Sequence, residues 1–397
     1  MEGVRIVKRF WLRADECTGC AACANACPTD AITMESDETG FSLPRIGASC
    51  IDCNKCETVC RNRHHLDRPV FDQPRVFAAR SKDEEIRFAS TSGGVFTELA
   101  RVTLGKGGVV VGAAYDDQMN VYHTVIRDEE ALARLRQSKY VQSEVGLVFR
   151  EIKSLLADGT DVLFCGAPCQ VAGLVSYLGG HRGNLLLIDF VCHGVNSPKA
   201  YRAWLDELAR DRGSDITRVW FKYKEGGWKS SPLRTRIEFA DGGALVQDQR
   251  ENLFMRGYLG PNLYLRPCCA DCRFRGVPLY GDVTLADFWG LDPAIDDDRG
   301  TSLVMVNTAR GQEMLGEARG RLTVEERGIA EAIAGNASIT SSPTAHPRTR
   351  EFLRELGTKP FSRAILPYLR YHKWRARIRG VARRMRGLAT VLRGRRA

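Results

Sequence analysis

The 397-residue sequence contains no run of eighteen or more apolar residues, so it predicts no membrane-spanning helix. Its first residues, MEGVRIVKRFWLRADEC, lack the apolar stretch and small-residue cleavage site of a signal peptide. No Gly-x-Gly-x-x-Gly motif follows a predicted strand, so a Rossmann dinucleotide fold has no support. These absences favour a cytoplasmic protein without a Rossmann domain.

Acidic residues are absent from residues 368–397, which carry eleven of the 58 Lys and Arg residues. The rest of the chain is nearly neutral, so the net charge of +10 belongs to this tail. Apolar residues recur there at helical spacing: Trp374, Ile378, Val381, Met385, Leu388 and Leu392. We expect a basic amphipathic helix in peripheral contact with the inner face of a membrane. The alternatives are docking on an acidic protein, a disordered tail and, less favoured, contact with nucleic acid.

Eight of the fourteen cysteines lie in two runs of four near the N-terminus. Each run has the spacing Cys-x2-Cys-x2-Cys-x3-Cys, which is typical of ferredoxins with two [4Fe–4S] clusters, where the fourth cysteine ligates the other cluster. Zinc is the alternative, but zinc sites generally use two Cys-x2-Cys pairs with a longer spacer. We expect two clusters on these ligand sets: Cys17, Cys20, Cys23 and Cys60, and Cys50, Cys53, Cys56 and Cys27.

The other six cysteines are far apart in sequence. Cys169 and Cys192 come just past two apolar strands, and Cys269 and Cys272 form a Cys-x2-Cys pair. Ligand sites in open α/β sheets gather at the carboxyl ends of strands, so these four thiols are candidates for a third cluster. Spacing alone leaves zinc and free thiols equally open. Cys165 ends an apolar strand and is interpreted as a core residue.

Strand-like and helix-like segments alternate from about residue 76 to 355, after a predicted linker at 64–75. This alternation predicts a mixed α+β or α/β fold with a mostly parallel sheet and antiparallel additions. The clearest elements are the strands DVLF (161–164) and NLLLIDFV (184–191), the helix QVAGLVSYL (170–178), a helix capped by Ser197 before Pro198, and the hairpin LRTRIEFADGGALV (233–246).

Several segments resemble the beta subunit of coenzyme F420-reducing hydrogenase and its relatives, which include F420-linked dehydrogenase subunits and chlorophyll-pathway reductases. They span about residues 10–350 in the family's order: ASTSGGVFTELA (89–100), LRQSKYVQS (135–143), FCGAPCQVAGL (164–174), DFVCHGVNSPKAY (189–201), YLRPCCADCRF (264–274) and GDVTLADFWG (281–290). The chain is identified as a member of the coenzyme F420 hydrogenase/dehydrogenase beta subunit family.

The cysteine spacing, the resemblance and the basic tail together predict a domain order. We expect a ferredoxin-type module with two clusters at 1–65, the two parts of a flavin-binding beta-subunit-like core at 66–160 and 161–355, and a basic helical tail at 356–397. The resemblance also implies FAD and a [4Fe–4S] cluster in the core. The family's cysteine positions match Cys169, Cys192, Cys269 and Cys272, whereas Cys165 and Cys268 fall where relatives often have small or hydroxyl residues.

The flavin is expected where glycines precede a predicted helix, because a glycine backbone and a helix N-terminus suit a pyrophosphate. A second segment would add a cation and hydroxyls. A plain helix cap and a solvated lysine are the alternatives. The candidate residues are Ser92, Gly93, Gly94, Ser138, Lys139 and Tyr140.

Two further features are candidates for the reacting centre. His193 is the candidate catalytic residue, because it follows an expected ligand and imidazole can relay a proton near neutral pH. A structural histidine is the alternative. Asp287, Phe288 and Trp289 form a polar–aromatic patch that could line the cleft, although core packing is the simpler account.

The resulting hypothesis is a flavin- and iron–sulfur-dependent oxidoreductase. It would move electrons between a hydride donor or acceptor, such as coenzyme F420, FAD and the clusters. The alternative is an electron-transfer subunit without its own substrate that feeds a partner reductase, docked at the membrane surface by the tail. The expected partner is therefore a small-molecule hydride donor or a redox protein.

Overall fold

The computed structural model describes residues 12–60, 70–231 and 234–370. The amphipathic helix predicted from Trp374 to Leu392 lies outside these residues, as does the first half of the predicted linker. Within the described ranges, no helix is both long and apolar enough to cross a membrane.

The N-terminal module is a two-stranded sheet with two short helices. In chain order it contains α1 (Ala22–Ala26), β1 (Ile32–Ser36), β2 (Ser42–Ile46) and α2 (Lys55–Thr58). The strands pair antiparallel, and each helix contains the third cysteine of its run. The two cysteine runs therefore share one local structure.

The core holds the remaining strands: β3 (Arg75–Ser81), β4 (Val109–Tyr115), β5 (Val121–Ile126), β6 (Val162–Cys165), β7 (Leu185–Phe190), β8 (Ile216–Trp220), β9 (Thr235–Phe239), β10 (Ala244–Gln247), β11 (Val283–Asp287), β12 (Ser302–Val306) and β13 (Leu322–Arg327). Eight of them form one sheet in the order β13-β3-β12-β11-β7-β6-β4-β5. The central strands β11, β7, β6 and β4 are parallel, and antiparallel strands flank them on both sides. The sheet is mixed, so its antiparallel part is larger than predicted.

The helices of the core are α3 (Glu84–Ala89), α4 (Val95–Gly105), α5 (Glu129–Leu132), α6 (Val148–Ala157), α7 (Pro168–Leu178), α8 (Pro198–Arg212), α9 (Leu253–Leu259), α10 (Ala309–Ala318), α11 (Ile329–Gly335) and α12 (Thr349–Glu355). On β6, Leu163 packs towards α4 and α10, whereas Val162 and Phe164 pack towards α6 and α7. Since side chains alternate along a strand, these helix pairs cover opposite faces of the sheet. Segments 66–160 and 161–355 both contribute strands to this sheet.

A smaller antiparallel sheet, in the order β10-β9-β8, completes the core. It packs with α8, α9 and the helical residues 361–370 around buried aromatic rings, including Trp204, Phe221 and Phe254. The β9–β10 hairpin turns at the predicted Asp241-Gly242-Gly243 sequence.

The local sequence signals are confirmed at the elements that position the site. Ser197 caps α8 by accepting a hydrogen bond from the Ala200 N–H at 3.3 Å, and Pro198 is the first helical residue. β6 and β7 match the predicted apolar strands to within one residue at each end, and α7 begins two residues before the predicted helix. The mixed α/β class is therefore confirmed.

Candidate functional site

The four core cysteines expected as ligands meet beside one cavity at the carboxyl end of the parallel strands. Cys169 is the second residue of α7, and Cys192 follows the end of β7. Cys269 lies in the short 3-10 helix Pro267–Asp271, and Cys272 caps the end of that helix. All four residues line a cavity of about 690 Å³. Three segments that are distant in sequence thus present their thiols to a common space.

Burial dominates the protonation of these core thiols. It raises the pKa of Cys169 well above its ordinary value, and four neighbouring thiols raise it further. Burial also raises the pKa of Cys192 to about 12. Cys269 is the exception, because a hydrogen bond from Cys268 lowers its pKa. Burial therefore favours the neutral thiol at Cys169 and Cys192, and a bound cation would favour the thiolate.

The N-terminal thiols form two groups that cross between the runs. Cys60 is an electrostatic neighbour of both Cys20 and Cys23, which belong to the other run. The second group lines a common pocket and consists of Cys27, Cys50, Cys53 and Cys56. The structure thus brings together the two sets of thiols that crossed ligation requires.

The backbone of the two cysteine runs is repeated. Gly19 and Asp52, each two residues after the first cysteine, have φ angles of 71° and 54°. Ala21 and Asn54, each directly after the second cysteine, both have φ angles of 58°. Left-handed backbone is uncommon at non-glycine residues. Turns of this kind aim successive N–H groups into an anion-binding concavity, so both runs suit the same kind of anionic group.

Helix α7 connects the core thiols with the N-terminal module. Cys169 lies in its first turn, and Gly173 follows four residues later on the same face. A Cβ built on Gly173 would lie 3.0 Å from the sulfur of Cys20. Cys20 is in turn an electrostatic neighbour of Cys169. The N-terminal group that contains Cys20 therefore faces the core thiols.

The two remaining cysteines differ in position. Cys165 ends β6 and packs against the apolar core, where burial raises its pKa to about 12. Cys268 lines the cavity beside Cys269. Cys165 thus occupies the core position predicted for it, whereas Cys268 adds a fifth thiol that sequence reasoning left out of the cavity.

The two segments expected to bind the flavin are joined by Thr91. Its hydroxyl accepts a hydrogen bond from the Ser138 N–H at 2.7 Å and donates to the Ser138 hydroxyl at 3.1 Å. Gly94 has a φ angle of 85° and precedes the first residue of α4. The loop before α4 and the segment around Ser138 therefore lie side by side.

Ser92 and Gly93 fasten the loop to the sheet. The Ser92 hydroxyl donates to the Thr301 carbonyl at 2.8 Å, and the Gly93 N–H donates to the Ser302 hydroxyl at 2.9 Å. A Cβ on Gly93 would lie 2.4 Å from the Ala79 carbonyl oxygen, so the close packing of the loop requires glycine.

Lys139 and Tyr140 turn towards the protein interior. The Lys139 ammonium donates to the Arg136 carbonyl at 3.0 Å, and burial lowers the pKa of this lysine to about 7. The Tyr140 ring packs edge-on against Phe221 and tilted against Tyr258. Lys139 is therefore not the solvated lysine of the alternative interpretation.

A buried ion pair under an aromatic stack adjoins the Thr91 loop. Lys222 donates to Asp287 at 2.7 Å, and the two side chains are only 4% and 12% exposed. Trp228 and Trp289 stack with their planes 2° apart, and the Lys222 ammonium lies 4.3 Å from the centre of the Trp289 ring. The Trp228 indole N–H donates to the Thr91 carbonyl at 3.1 Å. Lys222 and Trp228 carry no recognisable sequence signal, and sequence reasoning missed them.

His193 is held by neutral partners. Its Nε2 lies 2.8 Å from the Asn262 side-chain oxygen, its Nδ1 lies 3.3 Å from the Ser338 hydroxyl, and its ring packs edge-on against Tyr258. Burial lowers its pKa, which favours the neutral imidazole. These contacts suit the structural alternative as well as a fixed proton carrier.

The thiol groups are not compact single-ion sites. Across residues 12–60, 70–231 and 234–370, no three His, Cys, Asp or Glu side chains are placed to hold one metal ion. A tetrahedral zinc ion would draw its thiolates to about 2.3 Å from one point, whereas an iron–sulfide core spaces them more widely.

The chain matches both halves of one protein family in sequence. Residues 76–149 match the N-terminal part, and residues 159–331 the C-terminal part, of the coenzyme F420 hydrogenase/dehydrogenase beta subunit. The chain belongs to this family. Its members are subunits of oxidoreductases. Residues 16–64 match the 4Fe-4S dicluster domain, which makes the N-terminal module a ferredoxin-like iron–sulfur module and completes the predicted fold class.

Among solved structures, the chain is similar to the F420-reducing [NiFe] hydrogenase complex from Methanosarcina barkeri. The identity is 16%, the TM-score is 0.45, and the match covers 72% of this chain and 99% of that chain. No curated protein matches the chain.

Proposed function

We propose that the chain is an iron–sulfur flavoprotein oxidoreductase that moves electrons between a hydride donor or acceptor and three [4Fe–4S] clusters. Coenzyme F420 is the candidate hydride carrier, because the family is defined by enzymes that use it. The observation that carries the proposal is the contact between α7 and Cys20, which sets the core thiols beside the dicluster module.

The donor sets fit iron–sulfur clusters in chemistry and in grouping. Each set consists of thiols alone, and thiolates are the ligands that these clusters prefer. We assign the three ligand sets as Cys17, Cys20, Cys23 and Cys60; Cys27, Cys50, Cys53 and Cys56; and Cys169, Cys192, Cys269 and Cys272. Clusters held there supply one-electron transfer.

Buried polar atoms without partners support a flavin beside the Thr91 loop. In the described residues, Asp287 Oδ1 and the Thr301 hydroxyl are buried and make no hydrogen bond. Such atoms are costly unless a ligand or water satisfies them. A flavin held here supplies the exchange between hydride and single-electron chemistry. Ser92, Gly93, Gly94, Ser138, Lys139 and Tyr140 remain the proposed binding segments.

The residues around this site have separable tasks in the proposal. Lys222 places a buried positive charge against Asp287 and above Trp289. The stacked indole of Trp228 covers the same region and excludes water from it. His193 is retained as the candidate proton carrier, because both ring nitrogens are held in fixed hydrogen bonds.

The outer thiol group is the proposed exit to a redox partner protein. Cys53 is exposed, and neighbouring Ile51 is 62% exposed. The group that contains Cys20 instead faces the core. Electrons would thus leave or enter through the Cys50 run. Residues 356–370 of the expected tail include buried side chains of the core. The proposed peripheral contact with the inner face of the membrane is therefore assigned to residues 371–397.

Anaerobic mixing of the purified chain with reduced F420 tests the proposal. We expect bound FAD and rapid loss of both flavin and cluster absorbance. Full cluster content with neither flavin nor reduction by F420 would instead support the alternative, an electron-transfer subunit without a substrate of its own. Binding of the full chain to anionic vesicles, compared with a chain ending at residue 370, tests the membrane contact.

A further inference from the structure

Arg266 is one of the most deeply buried side chains of the described structure. It is only 1% exposed, and its guanidinium packs over the Phe41 ring at 5.2 Å. Its Nε donates to the Cys17 carbonyl at 2.7 Å and its Nη2 to the Ser42 carbonyl at 3.0 Å, while its Nη1 donates to the Gln142 side-chain oxygen. Every nitrogen of the guanidinium is therefore held in place.

All of these acceptors are neutral. Among the described residues, no carboxylate forms an ion pair with Arg266. A buried charge without a counter-charge is expensive, and arginine cannot avoid this cost by releasing its proton. The fold therefore calls for an anion that is not a side-chain carboxylate.

The position of Arg266 identifies that anion. On one side the guanidinium holds the backbone of Cys17, and a Cβ on neighbouring Gly19 would lie 2.8 Å from Nη1. On the other side Arg266 lines the core cavity, and its carbonyl accepts from the Cys269 N–H at 3.0 Å. It thus lies between the core thiols and the nearer N-terminal group.

We propose that Arg266 is the shared counter-charge of two iron–sulfur clusters, one on the core thiols and one on Cys17, Cys20, Cys23 and Cys60. This inference rests on the proposed function. Four thiolates outweigh the charge of an iron–sulfide core, so each cluster is anionic and becomes more so on reduction. A fixed positive charge between them makes both clusters easier to reduce, because net charge is among the factors that set their potentials.

Arg275 provides a matched comparison. It also lines the core cavity, but its guanidinium donates to the carbonyl of His193 at 2.8 Å and to that of Ser338, which places it on the core side only. Arg266 should therefore influence two clusters, whereas Arg275 should influence one.

The test is an anaerobic redox titration of the full chain followed by electron paramagnetic resonance, with signals assigned through Cys60→Ala and Cys192→Ala. Arg266→Gln should shift two cluster potentials, core and near N-terminal, to more negative values. Arg275→Gln should shift the core potential alone. Arg266→Lys loses the hydrogen-bond geometry of the guanidinium, as Arg266→Gln does, but it retains the positive charge. Its two cluster potentials should therefore stay near those of the wild type.

Gln142→Glu provides a second route if Arg266→Gln fails to assemble its clusters. It places a carboxylate on the existing partner of Arg266, neutralises the guanidinium without removing it, and should shift the same two potentials downwards. Three assembled clusters with unchanged potentials in these variants, or a shift of the core potential alone, would overturn the inference. A wild-type chain with fewer than three clusters would instead overturn the proposed function, and this inference with it.

Discussion

Gly173 of α7 lies against Cys20 of the N-terminal module, so closely that a Cβ on the glycine would be 3.0 Å from the cysteine sulfur and 3.1 Å from its Cβ. Cys169 precedes Gly173 by one helical turn. One helix therefore carries a core thiol and, on the same face, the surface on which a dicluster thiol rests. This contact joins the two cysteine-rich regions of the chain.

Gly173→Ala is predicted to loosen the contact between α7 and the module. Its methyl group would press on a sulfur that a bound cluster prevents from moving, and overpacking of this kind typically costs about 1–3 kcal/mol. We expect a lower midpoint of thermal unfolding and slower passage of electrons from the core to the dicluster module, measured by stopped-flow absorbance.

Gly316→Ala is the control for that variant. Gly316 is also a helical glycine, in α10, but an added Cβ would meet no atom within 4 Å. It should stabilise the protein by up to about 1 kcal/mol and leave electron transfer unchanged. Equal electron-transfer rates in the Gly173 and Gly316 variants would contradict the assigned role of α7.

Crossed ligation predicts which double variants lose more iron than single ones. Cys20→Ala with Cys60→Ala should lose about four irons, like either change alone, because both thiols belong to one cluster. Cys20→Ala with Cys27→Ala should lose about eight. Iron analysis of the purified variants decides the point, and ligation within each run would give the reverse pattern. Cys165→Ala should retain its full iron content.

The convergence of the core thiols could be anticipated from sequence because it follows from a local rule. Apolar strands end at Cys165 and Phe190, and the carboxyl ends of parallel neighbours meet at one edge of a sheet. The spacing of the N-terminal cysteines likewise predicted that the fourth thiol of each run joins the group of the other run. Ser197 as a helix cap and Pro198 at the first helical position likewise predicted the start of α8.

Other parts of the site depend on contacts between distant segments. Arg266 reaches Cys17 across 249 positions of sequence, and the Lys222–Asp287 pair and the Trp228–Trp289 stack join separate strands and loops. No periodicity or spacing encodes such contacts. The antiparallel part of the sheet was underestimated for the same reason, since β3 pairs with β12 and β13 from the far end of the chain.

Gly93→Ala is predicted to reduce flavin retention. The added Cβ would lie 2.4 Å from the Ala79 carbonyl oxygen and 2.8 Å from the Ser302 nitrogen, and neither backbone atom can move far within the sheet. The loop must therefore shift relative to the sheet, which disturbs the contact of its Thr91 with Ser138. The flavin-to-protein ratio of the folded fraction should fall, whereas Gly105→Ala, with no atom within 4 Å, should match wild type. Equal flavin content in both variants would argue against this loop as a binding segment.

Lys224 predicts a pH dependence of stability. Burial, reinforced by nearby Arg87, lowers the pKa of this lysine from 10.5 to about 7. Between these values the unfolded chain binds the proton and the folded chain does not, so stability rises with pH. Relative to Lys224→Met, the free energy of unfolding of the wild type should increase by up to about 1.4 kcal/mol per pH unit above pH 7. Urea unfolding of both proteins at pH 7, 8 and 9 measures this difference. If the free energies of unfolding of the wild type and Lys224→Met change in parallel with pH, the prediction is contradicted.

The most direct measurement is iron and acid-labile sulfide per chain in anaerobically purified wild type and Cys169→Ala. We expect about twelve irons in the wild type and about eight in the variant, with the dicluster signals retained. About eight irons in both proteins would contradict this expectation, because the core thiols would then hold no cluster.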